Sequence, residues 1–283
     1  MFDLIKAAVK KNPKTKGKEK FFKMQIGLYR NYSSLLMIKK ADPNNPGTGS
    51  NKSVFNKTKW ENDAAALEEF LTDQNIAGAS AGMGPEAIEV GLRHANTHLE
   101  KYPDDNYRLN QIIIIGDAPS NGWAPEKQGM KTTAQQRTSC SDDPRLKPKF
   151  TELYGGQWPA KYAETLDFEK ELKKVVAGGK QFSPTDSDKK SFGCPIHTFY
   201  ILNKPTLDPK TKKMKPPQFD SDLTRTNFGY MSGATGGVCK EFVISENPVE
   251  NARFLNDEVG RLILQDIDKE AAKELIADFS KSV

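Results

Sequence analysis

The order of elements along this chain predicts an α/β fold with a mainly parallel sheet covered on both faces. Three observations carry that expectation. Helix-like and strand-like stretches alternate from one end to the other. Ile112–Ile115 is a short, unbroken aliphatic run stopped by Gly116-Asp117, the pattern of a buried central parallel strand. The chain has 283 residues, ample to bury a real core.

The elements come in order. Phe2, Ile5, Ala8 and Val9 fall on one face of a helix over the first ten residues, away from Lys6 and Lys10. A charged connector with Pro13 and Gly17 leads to residues 24–30, where Met24, Ile26 and Leu28 alternate with Gln25, Gly27 and Tyr29 as in a strand. Leu35–Ile38 reads as a second short strand, and 41–59, rich in Asn, Pro, Gly and Ser, as loop. Trp60–Asn75 has helical spacing, with Asn62 or Asp63 as its cap. Gly78–Gly84 is a small-residue loop. Pro85 then opens a helix to Leu99, with Ile88, Gly91, Leu92, Ala95 and Leu99 facing inward. Residues 119–160 read as irregular, punctuated by Pro119, Pro125, Pro144 and Pro148. Ala163–Ala177 is a helix stopped by Gly178-Gly179. Pro195–Leu202 is a strand and 203–219 a basic, Pro-rich insertion. Ser221–Met231 reads as a short helix, Val238–Ile244 as the last strand, and Pro248–Phe279 as helix in two pieces.

Composition narrows the function classes. Mean hydropathy is -0.66, and no apolar run approaches the roughly 20 residues of a membrane-spanning helix. The N-terminus lacks the apolar core of a secretory signal. Cys140, Cys194 and Cys239 form no C-x-x-C pair, which fits a reducing compartment, so a cytoplasmic location is expected. Lys plus Arg number 42 against 37 acidic residues, a net +5. Much of the excess sits in two groups, Lys10–Lys23 and Lys204–Lys215. Solvated loops explain them; nucleic acid is the other reading, weakened by few interleaved aromatics beyond Phe21 and Phe22. His94 and His98, four apart on a helix, read as polar surface or as a chelating pair.

In an open parallel sheet, ligands sit beyond the carboxyl ends of the strands. Those ends are Arg30–Ser33, Gly116–Asn121, Leu202–Lys204 and Ser245–Asn247. Asp117 directly follows the aliphatic run, so it either offers oxygen to a hard cation or caps its own turn. The loop Gly78–Gly84 is neither G-x-G-x-x-G nor a P-loop. Thr235-Gly236-Gly237 reads as a tight helix-to-strand turn. No G-x-S-x-G or H-E-x-x-H occurs, and Cys194 with His197 is a weak catalytic pair.

Five segments together resemble the von Willebrand factor A domain family. They are GLYRNYSS at 27–34, FLTDQNIAGASAGMGPEAIEVGL at 70–92, IIIIGDAPSN at 112–121, CPIHTFYI at 194–201 and SGATGG at 232–237. The similarity implies a Rossmann-like open sheet over residues 1–265, with insertions at 41–59, 119–160 and 203–219, and a C-terminal helical extension at 266–283. The resemblance also implies a metal site built from a D-x-S-x-S motif, a second loop and the Asp at the strand end. Asp117 matches the last input. Met83 stands at the family's acidic position, leaving Ser80 as a poor substitute. The D-x-S-x-S motif is absent, and Met1–Ile5 looks like the helix that comes after it. The expectation is an N-terminally incomplete domain, cut at an internal Met, or a degenerate member. Mg2+ is expected only if the missing motif exists.

The expected function is that of a non-enzymatic protein-protein interaction module with a degenerate or incomplete metal site at Asp117 and Ser80. Asn121, Lys212, Lys213 and Lys215 are its candidate partner-facing residues. A regulatory part of a kinase-type enzyme and a nucleic-acid binder acting through the Lys groups are the alternatives. No membrane insertion is expected.

Overall fold

The computed structural model describes residues 2–11, 22–32, 54–73, 86–102, 108–123, 132–160, 165–178, 194–202, 206–207, 212–215, 221–245 and 247–265. Among these the chain is mixed α/β, with eight helices and small sheets, one of three parallel strands. None of the described helices is long and apolar enough to cross a membrane. Two compact units emerge. One comprises Met1–Ile26, Lys57–Asp73 and Val243–Val283; the other comprises Gly27–Asn56 and Gln74–Phe242.

The first unit is mainly helical. Helix α1 (Phe2–Lys11) buries Phe2, Ile5 and Val9, the stripe its periodicity predicts. It packs on α8 (Pro248–Gln265), which buries Val259, Leu262 and Ile263. Helix α2 (Ala64–Asp73) starts four residues later than expected. Glu61 is held in an antiparallel bridge to Met24 instead, and Asp63 Oδ1 accepts from Ala65 N at 3.1 Å. The expected continuation beyond Gln265, including the 266–283 extension, lies outside the described residues.

The second unit holds the parallel sheet. Strand β1 (Gly27–Tyr29) pairs with β2 (Phe55–Lys57). The pairing is antiparallel: Arg30 N donates to Val54 O at 2.9 Å and Thr58 N to Ile26 O at 3.0 Å. This corrects the reading of 41–59 as loop throughout. Phe55 is a strand former, and its ring lies over Gly27, where a Cβ would come within 2.6 Å. The expected strand Leu35–Ile38 lies outside the described residues, as does the loop Gly78–Gly84.

Helix α3 (Ile88–Lys101) buries Ile88, Leu92, Ala95 and Leu99, with Glu89 and Asn96 beside them. It begins after Glu86 and Ala87, not at Pro85, because Glu86 pairs with Ser120 in a parallel bridge. Strand β3 (Ile112–Gly116) runs parallel to β4 (Ile196–Ile201), with Ile112 opposite Ile196. β4 runs parallel to β7 (Cys239–Phe242), with Thr198 opposite Cys239. Among the described residues the central place belongs to β4, whose first five residues are all buried, and not to β3.

The stretch 119–160, expected to be irregular, contains α4 (Thr133–Asp142) and α5 (Lys147–Tyr154). Thr132 and Gln135 form a reciprocal capping box, and Gly155 closes α5 at φ 63°. Phe150, Tyr154 and Tyr32 gather around Trp158, with ring centroids 4.9 to 5.7 Å from it. Helix α6 (Phe168–Val176) is capped by Asp167 and buries Phe168, Leu172 and Val175. In the 203–219 insertion, β5 (Thr206–Leu207) and β6 (Met214–Lys215) make a small antiparallel pair. Helix α7 (Ser221–Thr235) runs a turn longer than expected. Side chains of α3, β3, α6, β4 and α7 share one apolar core, including Leu92, Ile114, Phe168, Ile196 and Phe228.

Candidate functional site

The carboxyl end of β3 opens into Asp117–Trp123, and three neighbouring segments fasten this loop and the strand end that leads into it. Thr224 Oγ1 on α7 donates to Asp117 O at 3.0 Å. Ser120 N donates to Asn227 Oδ1 on the same helix at 3.0 Å. Glu86 N donates to Pro119 O at 2.8 Å, and Asn121 N donates back to Glu86 O at 3.0 Å. Tyr29 Oη on β1 donates to Ile115 O at 3.2 Å. Gly116 permits this approach, since a Cβ there would collide with the Tyr29 hydroxyl.

Glu89 is the hub beneath the loop. It is fully buried, and its carboxylate accepts from Thr133 Oγ1 at 2.8 Å, Asn121 Nδ2 at 3.0 Å and Ser120 Oγ at 3.4 Å. All three donors are neutral. Burial therefore dominates and pushes the Glu89 carboxyl up to about 7, against the pull of these hydrogen bonds. Glu86 also rises to about 7, first through burial, then through the negative charges of Asp117 and Glu89; Arg30 and the Asn31 backbone oppose the rise. Burial raises the Tyr29 hydroxyl too, reinforced by Glu86 and Asp117.

Asp117 itself is exposed at the strand end. It thus presents a carboxylate on a loop that its neighbours hold still, beside a Glu86 that exchanges its proton near neutrality. Asn121, expected to face a partner, is instead buried and spends its amide on Glu89; it presents no surface. Lys212 and Lys213 are exposed, Lys212 at a positive φ of 55°. Lys215 lies opposite Thr206 in the small β-pair. Ser80 and Met83 lie outside the described residues.

The described residues do not fit a divalent-cation site. No group of three or more His, Cys, Asp or Glu converges among them, whereas Mg2+ demands near-octahedral oxygen donors. The weak catalytic pair also dissolves. Cys194 is buried, and His197 Nδ1 accepts from Val238 N at 3.2 Å. The His94 and His98 rings lie against Phe55 and Tyr102, at 5.4 and 4.9 Å.

Tyr29, Glu86, Glu89, Thr133 and Asn227 were not singled out from the sequence. One signal pointed to Glu89: an acidic residue set directly beside Ile88 on the inner stripe of a helix. A comparison with known proteins adds no relative: no family model, curated protein or solved structure matches the chain.

Proposed function

We propose that this chain is a non-enzymatic protein-interaction module of the von Willebrand A type, which binds its partner at the carboxyl ends of a Rossmann-like open sheet. One observation carries the reading. Asp117 is exposed while the loop around it is pinned from Glu86, Glu89 and α7, and the strand end before it from β1. A contact residue held in place before binding loses little freedom on binding, which favours affinity. The parallel β3–β4–β7 order supports the location, because crevices form at such strand ends. Cys140, Cys194 and Cys239, all unbridged, support action in a reducing compartment such as the cytoplasm. The proposal assigns no catalytic residue and no cofactor.

The test compares capture from a native extract by the wild-type protein and by Asp117→Lys, after both show the same thermal unfolding. The reading expects a protein retained by the wild type and lost with the variant. Identical retained sets would overturn it.

A further inference from the structure

The hydrogen bonds around Glu89 suit a carboxyl that keeps its proton. Oε1 takes both short bonds, from Thr133 Oγ1 at 2.8 Å and Asn121 Nδ2 at 3.0 Å. Oε2 has only Ser120 Oγ, at 3.4 Å, and that hydroxyl also donates to Asn121 O at 3.3 Å. A proton on Oε2 therefore costs no bond: Ser120 Oγ is placed to accept it. An ionised Glu89 fares worse. It is fully buried, its three side-chain donors are neutral, and the nearest titratable group is another carboxyl, Glu86. Arg30, Asp117 and Tyr29 bear on Glu86 rather than on Glu89. A buried charge with no cation is relieved by water, so its walls must part.

The walls differ in how firmly they are seated. α3 is anchored by Ile88, Leu92 and Leu99 in the apolar core. On α4 only Thr133, Gln136 and Cys140 are buried, and its first residue, Thr133, is tied to Glu89 itself. The Ser120–Asn121 turn has single backbone ties, Ser120 N to Asn227 Oδ1 and Asn121 N to Glu86 O. It bends at Gly122, whose φ is 72°. Gly122 lies against Thr132, the cap of α4: a Cβ there would stand 3.7 Å from Thr132 Cα. Turn and helix start are thus neighbours that share one acceptor.

We propose that Glu89 is a proton-operated latch: protonated, it holds the Ser120–Asn121 turn and the first turn of α4 on α3; ionised, it releases both and lets water in. The turn follows Asp117, so the latch makes the firmness of the partner-facing loop depend on a proton. That consequence rests on the binding reading above, whereas the latch itself does not.

The test is residue-resolved amide hydrogen exchange of the protein alone at pH 6 and pH 8, corrected for the intrinsic effect of pH. The closed carboxyl holds its proton to about 7, and an open one to the ordinary 4.5, so opening becomes about tenfold more frequent at pH 8. Protection at Ser120 and Asn121 is expected to fall by that factor, and to stay below that of Thr198, whose N–H is bonded within the sheet to Val238 O. Glu89→Gln, neutral at both pH values, is expected to abolish the fall. Where that variant does not fold, a carbon-detected titration of the Glu89 carboxyl in the wild type decides, with a midpoint near neutrality expected and an ordinary midpoint near 4.5 overturning the latch. Protection at Ser120 and Asn121 that is unchanged by pH, or that falls equally in Glu89→Gln, overturns it too. So does equal protection of Ser120, Asn121 and Thr198 at both pH values, which would leave Glu89 acting on global unfolding alone.

Discussion

Two carboxylates are buried against α3, and they are answered in opposite ways. Glu171 on α6 is 3% exposed. It accepts from Asn96 Nδ2 at 2.8 Å, and has Arg93 at 3.4 Å and Lys174 at 3.9 Å. Glu89, near the start of α3, has three neutral donors. It sits in the first turn of that helix, where the helix dipole favours a negative charge. Burial nonetheless prevails, and the group titrates near neutrality. The two sites show what a buried charge is used for. Glu171 clamps one helix to another with cations at hand. Glu89 ties a loop and the start of α4 to the sheet end, and that tie depends on pH.

The largest expected effect comes from Glu89→Ala. It strips an acceptor from the buried Asn121 and Thr133 side chains, a loss of about 4 kcal/mol. In thermal unfolding this appears as a fall of roughly 12 °C. Glu171→Ala comes next at about 3 kcal/mol, less because Asn96 keeps the Glu171 backbone carbonyl and both cations reach solvent. Equal losses in the two variants would dissolve the contrast.

Glu89→Gln sharpens it further. The folded-state pKa of Glu89 lies above its unfolded value of 4.5, so its protonated form favours folding. That contribution is full below about pH 4.5 and is lost as pH rises through about 7. Denaturant unfolding across this window is expected to show the wild type losing about 3 kcal/mol more than Glu89→Gln. Parallel pH profiles would refute the assignment. At low pH, where both forms are neutral, the amide costs within about 1 kcal/mol, since Ser120 Oγ can accept its N–H. The smallest effect belongs to Arg93→Met. Its side chain is 38% exposed and solvent weakens its attraction to Glu171, so the loss stays near 0.5 kcal/mol and shrinks in high salt.

The apolar half of this comparison was legible in the sequence. Ile88, Leu92, Ala95 and Leu99 recur at helical spacing, and all four are buried as that spacing demands. Asp117 at the end of an aliphatic run was legible for the same kind of reason. The polar half was not. Glu89 meets Asn121 and Thr133 from 32 and 44 positions away, and periodicity carries no information about such pairings. Pattern reading therefore placed Asn121 among surface residues. The helix α4 was readable and was missed: Thr132-Thr133-Ala134-Gln135 is a capping box, but α4 has no apolar stripe behind it to draw attention. Phe55–Lys57 is too short to show alternation, and one ring over a glycine decides it.

The parallel register of β3 has a consequence for how the protein is made. Ile112 pairs with Ile196, about eighty residues further along, so at ribosomal speeds several seconds separate the emergence of the two strands. During that interval four consecutive isoleucines leave the ribosome before the strand they pair with exists. Nascent chains stalled within that interval are expected to be clients of chaperones that bind short aliphatic segments, and release should track the synthesis of β4.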